Sequence, residues 1–419
     1  MVICKTAKNP LVCAAVVCAA AVYFGIPMKN RKQFGAAVPF SSVVFMKGRI
    51  VSNPVKLSKT QKYAASFEPE FVKTADGIAS TCSGVLTVIL DGRMTEAYFP
   101  GKLYSSSRGS GALICETGAP AALSGRAGSD GVFFADKGYS LEFPDTPGGK
   151  IAHARALSRL QFRRLMYAWG AAGGLLLALL SGIREYTEGQ AADAFRNAGL
   201  SHILALSGMH LSIFSGLAVS AGSSVCGKKT AYVFQACAVL FFVWFAGFSP
   251  SLFRALLCSI GMMMLSFCGI KNVSMMTVLC ASFLCHTVIA PVDCTSAAFM
   301  LSYGALAGIL VFGELINGKL SHILPGRVSS GISASAAAQT LTAPVSLKLF
   351  GTFMPGGILA STVVSPLVTL FIYAGLFCIV LCLVFPIFVV PAGAVMNGIY
   401  AVIKMLVTAF ARIPGIAIR

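Results

Sequence analysis

Long apolar runs separated by short polar loops fill the second half of the chain. A run of about 18 residues or more is long enough for an α-helix to cross a bilayer. We therefore predict transmembrane helices, which lie near 200–222, 231–248, 252–270, 273–290, 295–315, 331–350, 357–390 and 394–411. A further run at 11–26 follows Lys5 and Lys8. We expect this run to be a first span with its N-terminus inside, and a cleaved signal peptide is the alternative.

Residues 36–145 have a different pattern, in which apolar and polar residues alternate over short stretches such as "VVFMKGRIV" and "GVLTVIL". Clusters of Gly, Ser, Pro and Asp separate these stretches. Alternation with a period of two residues, repeated about every ten residues, predicts a small antiparallel β domain, either a barrel or a sandwich. A domain of about 110 residues can bury its own core.

The stretch "HARALSRLQFRRLMYAW" at 153–169 places Arg155, Arg159 and Arg163 on one helical stripe, four residues apart. This pattern predicts an amphipathic helix at the membrane interface. The following run, 165–182, contains several glycines and is marginal in length for a span. Its crossing of the bilayer stays open at this point.

Composition supports a polytopic membrane protein, because 56% of the residues are hydrophobic and only 11% are charged. The net charge of +18 agrees with basic cytoplasmic loops and contact with anionic lipid. Loop lysines and arginines occur at alternate turns, and those turns are expected to be cytoplasmic: Lys228, Lys229, Lys271, Lys319 and Arg327. The β domain then lies outside if 165–182 does not span the membrane, and in the cytoplasm if it does.

The apolar segment "AGLSHILALSGMHLSIFSG" at 198–216 carries an unusual number of small and polar residues. On a helix, Gly208, Ser212 and Ser215 share one stripe, and Ser207 and His210 lie beside it. Small stripes usually serve close helix packing. A histidine within the bilayer normally faces a bundle interior or a water-filled path, so His210 is a functional candidate.

Two other stretches carry polar groups at membrane depth. In "WFAGFSPSLFRALLC", Arg254 lies about one turn into an apolar run. It either extends to the interface or faces a polar path, where its planar fork could hold phosphates. In "SASAAAQTLTAPVSLKLFG", Pro344 predicts a broken helix that lines a cavity, and a matching break is expected around Pro355 and Pro366. Paired breaks are typical of a transport path.

No enzyme is predicted. Ser207 and His210 lie three residues apart, but no acidic residue in that span orients the imidazole, and Asp193, Asp293 and Glu314 are isolated in the sequence. The chain has no Cys/His zinc spacing and no phosphate-binding loop, so we expect no cofactor and a separate source of energy.

These stretches resemble, in this order, the ComEC family of inner-membrane DNA channels of natural competence. The matching segments are "FRNAGLSHILALSGMHLSIFSG", "AGFSPSLFRALL", "VDCTSAAFMLSYGALAGI" and "AAAQTLTAPVSLKLFG". The family pattern places a polar Gln where this chain has Met300 and an Asn where it has Ser361. The resemblance implies import of single-stranded DNA through the cytoplasmic membrane, an oligonucleotide/oligosaccharide-binding-like (OB-like) β domain outside, and a re-entrant or interfacial segment at 165–182. No metallo-β-lactamase-like domain is recognised, so a separate nuclease is expected.

The resulting fold class is a polytopic α-helical membrane protein with an inserted OB-like antiparallel β-barrel. The expected divisions are an N-terminal anchor at 1–30, an extracytoplasmic β domain at 31–150, amphipathic or re-entrant interfacial helices at 151–199, and a channel domain at 200–419. Expected partners are single-stranded DNA, membrane lipid, a DNA receptor, a cytoplasmic motor, a separate nuclease and further copies of the chain. The alternatives are a transporter or exporter of another anionic or small substrate, and a non-conducting remnant.

Candidate site residues follow from these assignments. The DNA path is assigned to Ser207, Gly208, His210, Arg254, Gln339 and Lys348. Phosphate contacts at the outer mouth are assigned to Arg155, Arg159, Arg163 and Arg164. Nucleic-acid contacts of the β domain are assigned to Arg49, Lys56, Lys59 and Lys62, with Tyr63 and Phe67 for base stacking. In an oxidising compartment, Cys82 and Cys115 could pair.

Overall fold

The computed structural model describes most of the chain: residues 10–23, 34–57, 62–91, 116–128, 131–184, 189–204, 208–226, 228–270, 272–413 and 415–417. Three of the predicted site residues, Ser207, Lys59 and Cys115, lie outside these ranges. The predicted pairing of Cys82 with Cys115 therefore also lies outside them.

The N-terminal half contains a closed five-stranded barrel. The strands of this half are β1 (Gly35–Ala36), β2 (Val43–Ile50), β3 (Val55–Lys56), β4 (Lys62–Thr74), β5 (Ala79–Ser83), β6 (Leu86–Asp91), β7 (Pro120–Ala127) and β8 (Val132–Ser140). The barrel closes in the order β2-β4-β6-β8-β7-β2, and its interior is filled by apolar side chains such as Met46, Phe67 and Phe133.

The strand order matches the Greek-key barrel of the OB fold, because the five barrel strands run 1-2-3-5-4-1 in chain order. The predicted OB-like fold is confirmed. The expectation of an antiparallel barrel needs one correction, since β6 and β8 pair in parallel. The reason is topological: the chain enters β8 from β7, which leaves β8 running in the same direction as β6.

Helices form the rest of the described chain. They are α1 (Pro10–Tyr23), α2 (Pro147–Ala168), α3 (Gly170–Ser181), α4 (Gly189–Asn197), α5 (Ser201–Leu204), α6 (Gly208–Cys226), α7 (Lys228–Ala246), α8 (Pro250–Phe267), α9 (Met275–Ile289), α10 (Ala297–Leu320), α11 (Gly326–Phe350), α12 (Gly357–Val384) and α13 (Val389–Phe410). A two-stranded sheet joins β9 (Thr352–Phe353) to β10 (Ile416–Ala417).

Four helical segments of the described chain are long and apolar enough to cross a membrane: Pro250–Phe267, Ala297–Leu320, Gly357–Val384 and Pro386–Phe410. Several other helices that the hydropathy predicted as spans are shorter, including α1 and α9. The predicted fold class, a membrane protein with a small barrel, is confirmed.

The predicted break at Pro344 is wrong, because α11 continues through this proline and ends at Phe350. The chain leaves the helix at Gly351, whose φ of +67° suits glycine.

The marginal run at 165–182 consists of two helices, which meet at Trp169 and Gly170. The second, α3, has 12 residues and is about 18 Å long, which is short of the roughly 30 Å of bilayer hydrocarbon. Its residues from Ala172 to Ser181 are buried inside the helical bundle. This helix is therefore a buried element of the bundle and is too short to span the membrane by itself.

Helices α10 and α11 pack closely at Gly308, and this contact yields a stability prediction. A Cβ added at Gly308 would meet the backbone carbonyl of Ala337, which cannot move without shifting a helix. We expect Gly308→Ala to lower the free energy of unfolding by about 1–3 kcal/mol, as overpacking does. Gly318→Ala on the same helix is the matched control, because nothing lies within 4 Å of its added Cβ. Chemical denaturation in detergent would show the difference, and equal effects would contradict the close packing.

Candidate functional site

Arg254 lies in the first turns of α8, where the local sequence fixes its position. Ser249 is the N-cap, its hydroxyl accepts from the amide of Leu252, and Pro250 begins the helix. The Arg254 Nη1 donates to the carbonyl of Ser302 on α10 at 2.6 Å. The cap therefore starts the helix at a point that directs this guanidinium toward α10.

Gly208 lies on the other side of the same guanidinium. An added Cβ at Gly208 would stand 3.0 Å from Nη2 of Arg254 and 3.5 Å from Cβ of Ala255. Glycine thus allows the guanidinium to lie against the start of α6. The structure brings together two sequence-predicted residues, Gly208 and Arg254, with Ser302 of the "LSYG" segment.

The positive charge of Arg254 is mostly buried and has few partners. A guanidinium has five N–H donors. Within the described part of the chain, Arg254 makes the one hydrogen bond to Ser302, its Nε is buried without an acceptor, and no carboxylate forms an ion pair with it. Because an unpaired buried cation is costly, this group is suited to bind an anion or water.

His210 is fully buried near the start of α6. Its neighbours in the chain pack in two directions. Leu211 joins the cluster of Leu252 and Ala255, whereas Met209 packs against the larger core that includes α12. His210 therefore lies where the Arg254 helix and the C-terminal helices meet.

Gln339 and Lys348 belong to α11 and do not hydrogen-bond to Arg254 in the described structure. Gln339 is half-buried, and its Oε1 has no hydrogen-bond partner among the described residues. Lys348 is exposed, donates to the carbonyl of Tyr23 at 2.9 Å and lies 4.4 Å from that ring. Their assignment to the path stays a prediction.

His286 on α9 is a functional candidate that the sequence patterns did not identify. Its Nε2 lies 3.3 Å from the Asp293 carboxylate and its Nδ1 lies 3.2 Å from the Tyr303 hydroxyl. The Tyr303 hydroxyl also donates to the carbonyl of Ser282. The ring of His286 contacts Phe253, the residue before Arg254, edge to face at 4.8 Å. The seven-residue spacing of His286 and Asp293 was the only signal in the sequence.

The Tyr303 hydroxyl is expected to stabilise this network. Tyr303→Phe keeps the ring and removes the donor to Ser282, so we expect a loss of about 1–2 kcal/mol in the free energy of unfolding. Tyr373→Phe serves as the control, because Tyr373 is exposed on α12. Chemical denaturation of both variants measures the difference. A Tyr303 variant as stable as the Tyr373 variant would rule out the stabilising role.

The arginine stripe of α2 faces a buried carboxylate. Arg159 and Arg163 are 1% and 0% exposed, and both pair with Glu116, which is 1% exposed and lies just before β7. The Nε of Arg159 is 2.7 Å from one carboxylate oxygen, and Nη2 of Arg163 is 2.9 Å from the other. This cluster joins the barrel to α2.

Arg159 also connects α2 to the end of α7. Its Nη1 donates to the carbonyls of Phe245 and Ala246 at 2.6 and 2.9 Å. A cation at these C-terminal carbonyls is favoured by the helix dipole. Arg155 donates to Thr117 of the barrel, and burial together with the charge of Arg159 lowers the pKa of Arg155 to about 10, so it stays charged at pH 7.

Two of the predicted phosphate contacts at the outer mouth are therefore corrected. Arg159 and Arg163 are enclosed between α2 and the barrel and are paired with Glu116, so they are not open to a passing strand. The spacing of the stripe predicts a face directed toward the membrane interface, but this face packs against the barrel. Arg155 and Arg164 are partly buried on the same helix.

Some of the predicted nucleic-acid contacts of the barrel are exposed to solvent and others are buried in its core. Arg49 is exposed and pairs with Glu70 at 2.8 Å. Lys62 is exposed and lies 5.9 Å from the ring of Phe134. Lys56 belongs to β3. Tyr63 and Phe67 point into the barrel core and are buried, so the prediction that they stack on bases is wrong.

Comparison with models of protein families identifies a match in the second half of the chain. The model of the family described as Competence protein matches residues 179–419, which is more than half of the chain. The matched region includes Gly208, Arg254 and Ser302. No significant match was found among curated proteins or among solved structures.

Among the described residues, no group of His, Cys, Asp and Glu is arranged to hold a metal ion.

Proposed function

Because the chain belongs to the competence protein family, which acts in DNA uptake, we propose that it forms a channel for import of single-stranded DNA across the cytoplasmic membrane. The observation that carries this proposal is the Arg254 site. A guanidinium about one turn into an apolar helix, with one hydrogen bond and no carboxylate partner in the described structure, lies where three helices meet. A phosphate is the group that such a fork binds well.

The chemistry of transport favours a single cation of this kind over a dense basic site. Each nucleotide brings about one negative charge that must be shielded from hydrocarbon, yet no phosphate can be held so firmly that the strand stops. The absence of a side chain at Gly208 lets the Arg254 guanidinium lie against the start of α6, and Ser302 supplies a backbone acceptor that fixes its orientation. Arg254 would then contact successive phosphates in turn.

Contacts of α2 support an outer location for the barrel. Arg159 joins the barrel residue Glu116 to Ala246 at the C-terminal end of α7. The basic Lys228 begins α7 at the opposite end. Since basic loops lie in the cytoplasm, this arrangement supports a barrel on the outer side, where incoming DNA arrives.

We propose that other proteins carry out the remaining steps of the process. We assign no catalytic step to this chain, and we propose that a cytoplasmic motor supplies energy and that a separate receptor and a separate nuclease prepare the strand. A transporter of a smaller anion is the alternative, because the Arg254 guanidinium would also bind an isolated phosphate or carboxylate.

Flux through the purified protein tests the proposal. The full chain is reconstituted in vesicles, where a fluorescent single-stranded oligonucleotide can enter down its concentration gradient without the motor, and entry is followed by its protection from added nuclease. We expect protection of the single strand and much less protection of a duplex. Entry of inorganic phosphate without entry of DNA would support the transporter of a small anion and would contradict the channel.

A further inference from the structure

The outer surface of the barrel carries lysine and aromatic side chains in two rows across β4, β2, β7 and β8. In the first row, the strand registers align four residues on neighbouring strands: Lys73, Phe45, Ser124 and Lys137. The second row contains Phe71, Lys47, Ala122 and Tyr139. We call these the lysine–aromatic rows.

Both rows face away from the barrel core. Between them the same registers align Val72, Met46 and Leu123, which are buried in the core. Successive residues of a strand point to opposite sides, so the flanking rows point outward. The three lysines are exposed, Tyr139 is 44% exposed, the two phenylalanines are half-buried, and Ala122, between Lys47 and Tyr139, is buried.

The rows are the right size for a short length of single strand. Adjacent strands lie about 4.8 Å apart and residues two apart along a strand lie about 7 Å apart. The rows therefore cover roughly 14 by 7 Å, and lysine and aromatic positions are neighbours in both directions. Proteins bind single strands with this combination of cationic groups for phosphates and aromatic faces for bases.

Acidic residues lie outside the two rows. Glu70, on the same strand as Phe71, is paired with Arg49. Asp136 is the chain neighbour of Lys137, as Glu70 is of Phe71. The rows therefore carry a net positive charge from three lysines, which matches the charge of a nucleic-acid backbone.

The opposite face of the barrel has a different character. Across β4 and β6, Lys62 stands opposite Asp91, Ala64 opposite Ile89, and Ser66 opposite Thr87. These three outward-facing pairs place opposite charges side by side and contain no aromatic residue. On the neighbouring strands β7 and β8 of this opposite face, Arg126 pairs with Phe134, whose ring also lies near Lys62. Lys62 and Arg126 are therefore basic residues of the opposite face.

We propose that the lysine–aromatic rows bind single-stranded nucleic acid, with Lys47, Lys73 and Lys137 contacting phosphates and Tyr139, Phe45 and Phe71 stacking on bases. This inference rests on the proposed function and adds a binding surface distinct from the Arg254 site. A duplex keeps its bases stacked on one another, so it gains only the phosphate contacts from this surface.

Binding to the full chain in lipid nanodiscs tests the surface. The probe is a fluorescein-labelled 20-nucleotide oligodeoxythymidylate, and fluorescence anisotropy gives Kd over a range of salt concentrations. Substitution of all three lysines, K47A/K73A/K137A, is expected to weaken binding by about tenfold or more. The slope of log Kd against log salt should fall by about 2, since each single-strand phosphate contact contributes about 0.7. Melting temperatures near the wild-type value establish that the variants fold.

Substitutions of Tyr139 distinguish the contribution of base stacking to binding from the contribution of charge. We expect Tyr139→Ala to weaken binding of the oligonucleotide by about fivefold or more with an unchanged salt slope, and Tyr139→Phe to bind as the wild type does. The variant R126A on the opposite face should leave Kd unchanged, because Arg126 is exposed and lies outside the rows.

Three results would overturn the proposal: wild-type binding by the triple lysine variant, a loss of binding confined to R126A, or equal affinity of the wild type for a duplex of the same length. A wild-type chain that binds no oligonucleotide at all would count against the proposed function as well. Loss of binding in the triple variant with normal DNA entry through the Arg254 site would still support the surface.

Discussion

Replacement of Glu116 with alanine is expected to lower the free energy of unfolding by about 3–5 kcal/mol, because it leaves two buried guanidinium groups without their carboxylate. Arg159 and Arg163 are almost fully buried and both pair with Glu116. The same change separates the barrel from α2, so we also expect protease cleavage between the two parts. Chemical denaturation in detergent and limited proteolysis measure both effects.

The chain contains a matched control for this prediction. Arg49 and Glu70 form the same type of ion pair on the same barrel, but their side chains are 59% and 60% exposed. Exposed pairs contribute about 0–1 kcal/mol, so Glu70→Ala should have little effect. Similar losses for Glu116→Ala and Glu70→Ala would show that the buried cluster does not hold the barrel to the helices.

Arg254→Ala is expected to reduce DNA uptake by cells about 10- to 100-fold. A reduction of this size corresponds to the loss of one hydrogen bond between a charged group and each phosphate that passes. Arg254→Lys should retain part of the activity, because it keeps the charge and loses the planar fork. Uptake is measured as labelled DNA that becomes resistant to external nuclease, at matched protein levels. Arg196→Ala is the control, since Arg196 is exposed and pairs weakly with Asp193. Normal uptake by Arg254→Ala would reject the site.

The helical part of the fold was largely predictable from hydropathy. The α8 span was expected at 252–270 and is found at Pro250–Phe267, and the α10 span was expected at 295–315 and is found at Ala297–Leu320. Membrane thickness constrains the length of an apolar run, so the pattern alone identifies such helices. The OB-like barrel was predictable as a β domain because of its alternation, while its strand order depended on the family resemblance.

Contacts between distant segments were less predictable. The spacing of Arg159 and Arg163 correctly indicated a helical face, but the partner Glu116 is 43 residues away from Arg159 and comes from the barrel. Asp293 was read as isolated, although a turn of chain after α9 brings it back to His286. Pro344 was expected to break a helix that in fact continues. Sequence periodicity identifies a face and leaves open what packs against it.

The accessibility of Ser302 to water tests most directly the central claim that Arg254, Gly208 and Ser302 face a shared path for DNA. A single cysteine is introduced as Ser302→Cys in a background without native cysteines, and Val380→Cys, exposed on the outside of α12, is the control. We predict that a membrane-impermeant thiol reagent modifies the cysteine at 302 and that single-stranded DNA slows this reaction, while the cysteine at 380 stays unmodified in lipid. A cysteine at 302 that is no more reactive than the one at 380 would contradict the account.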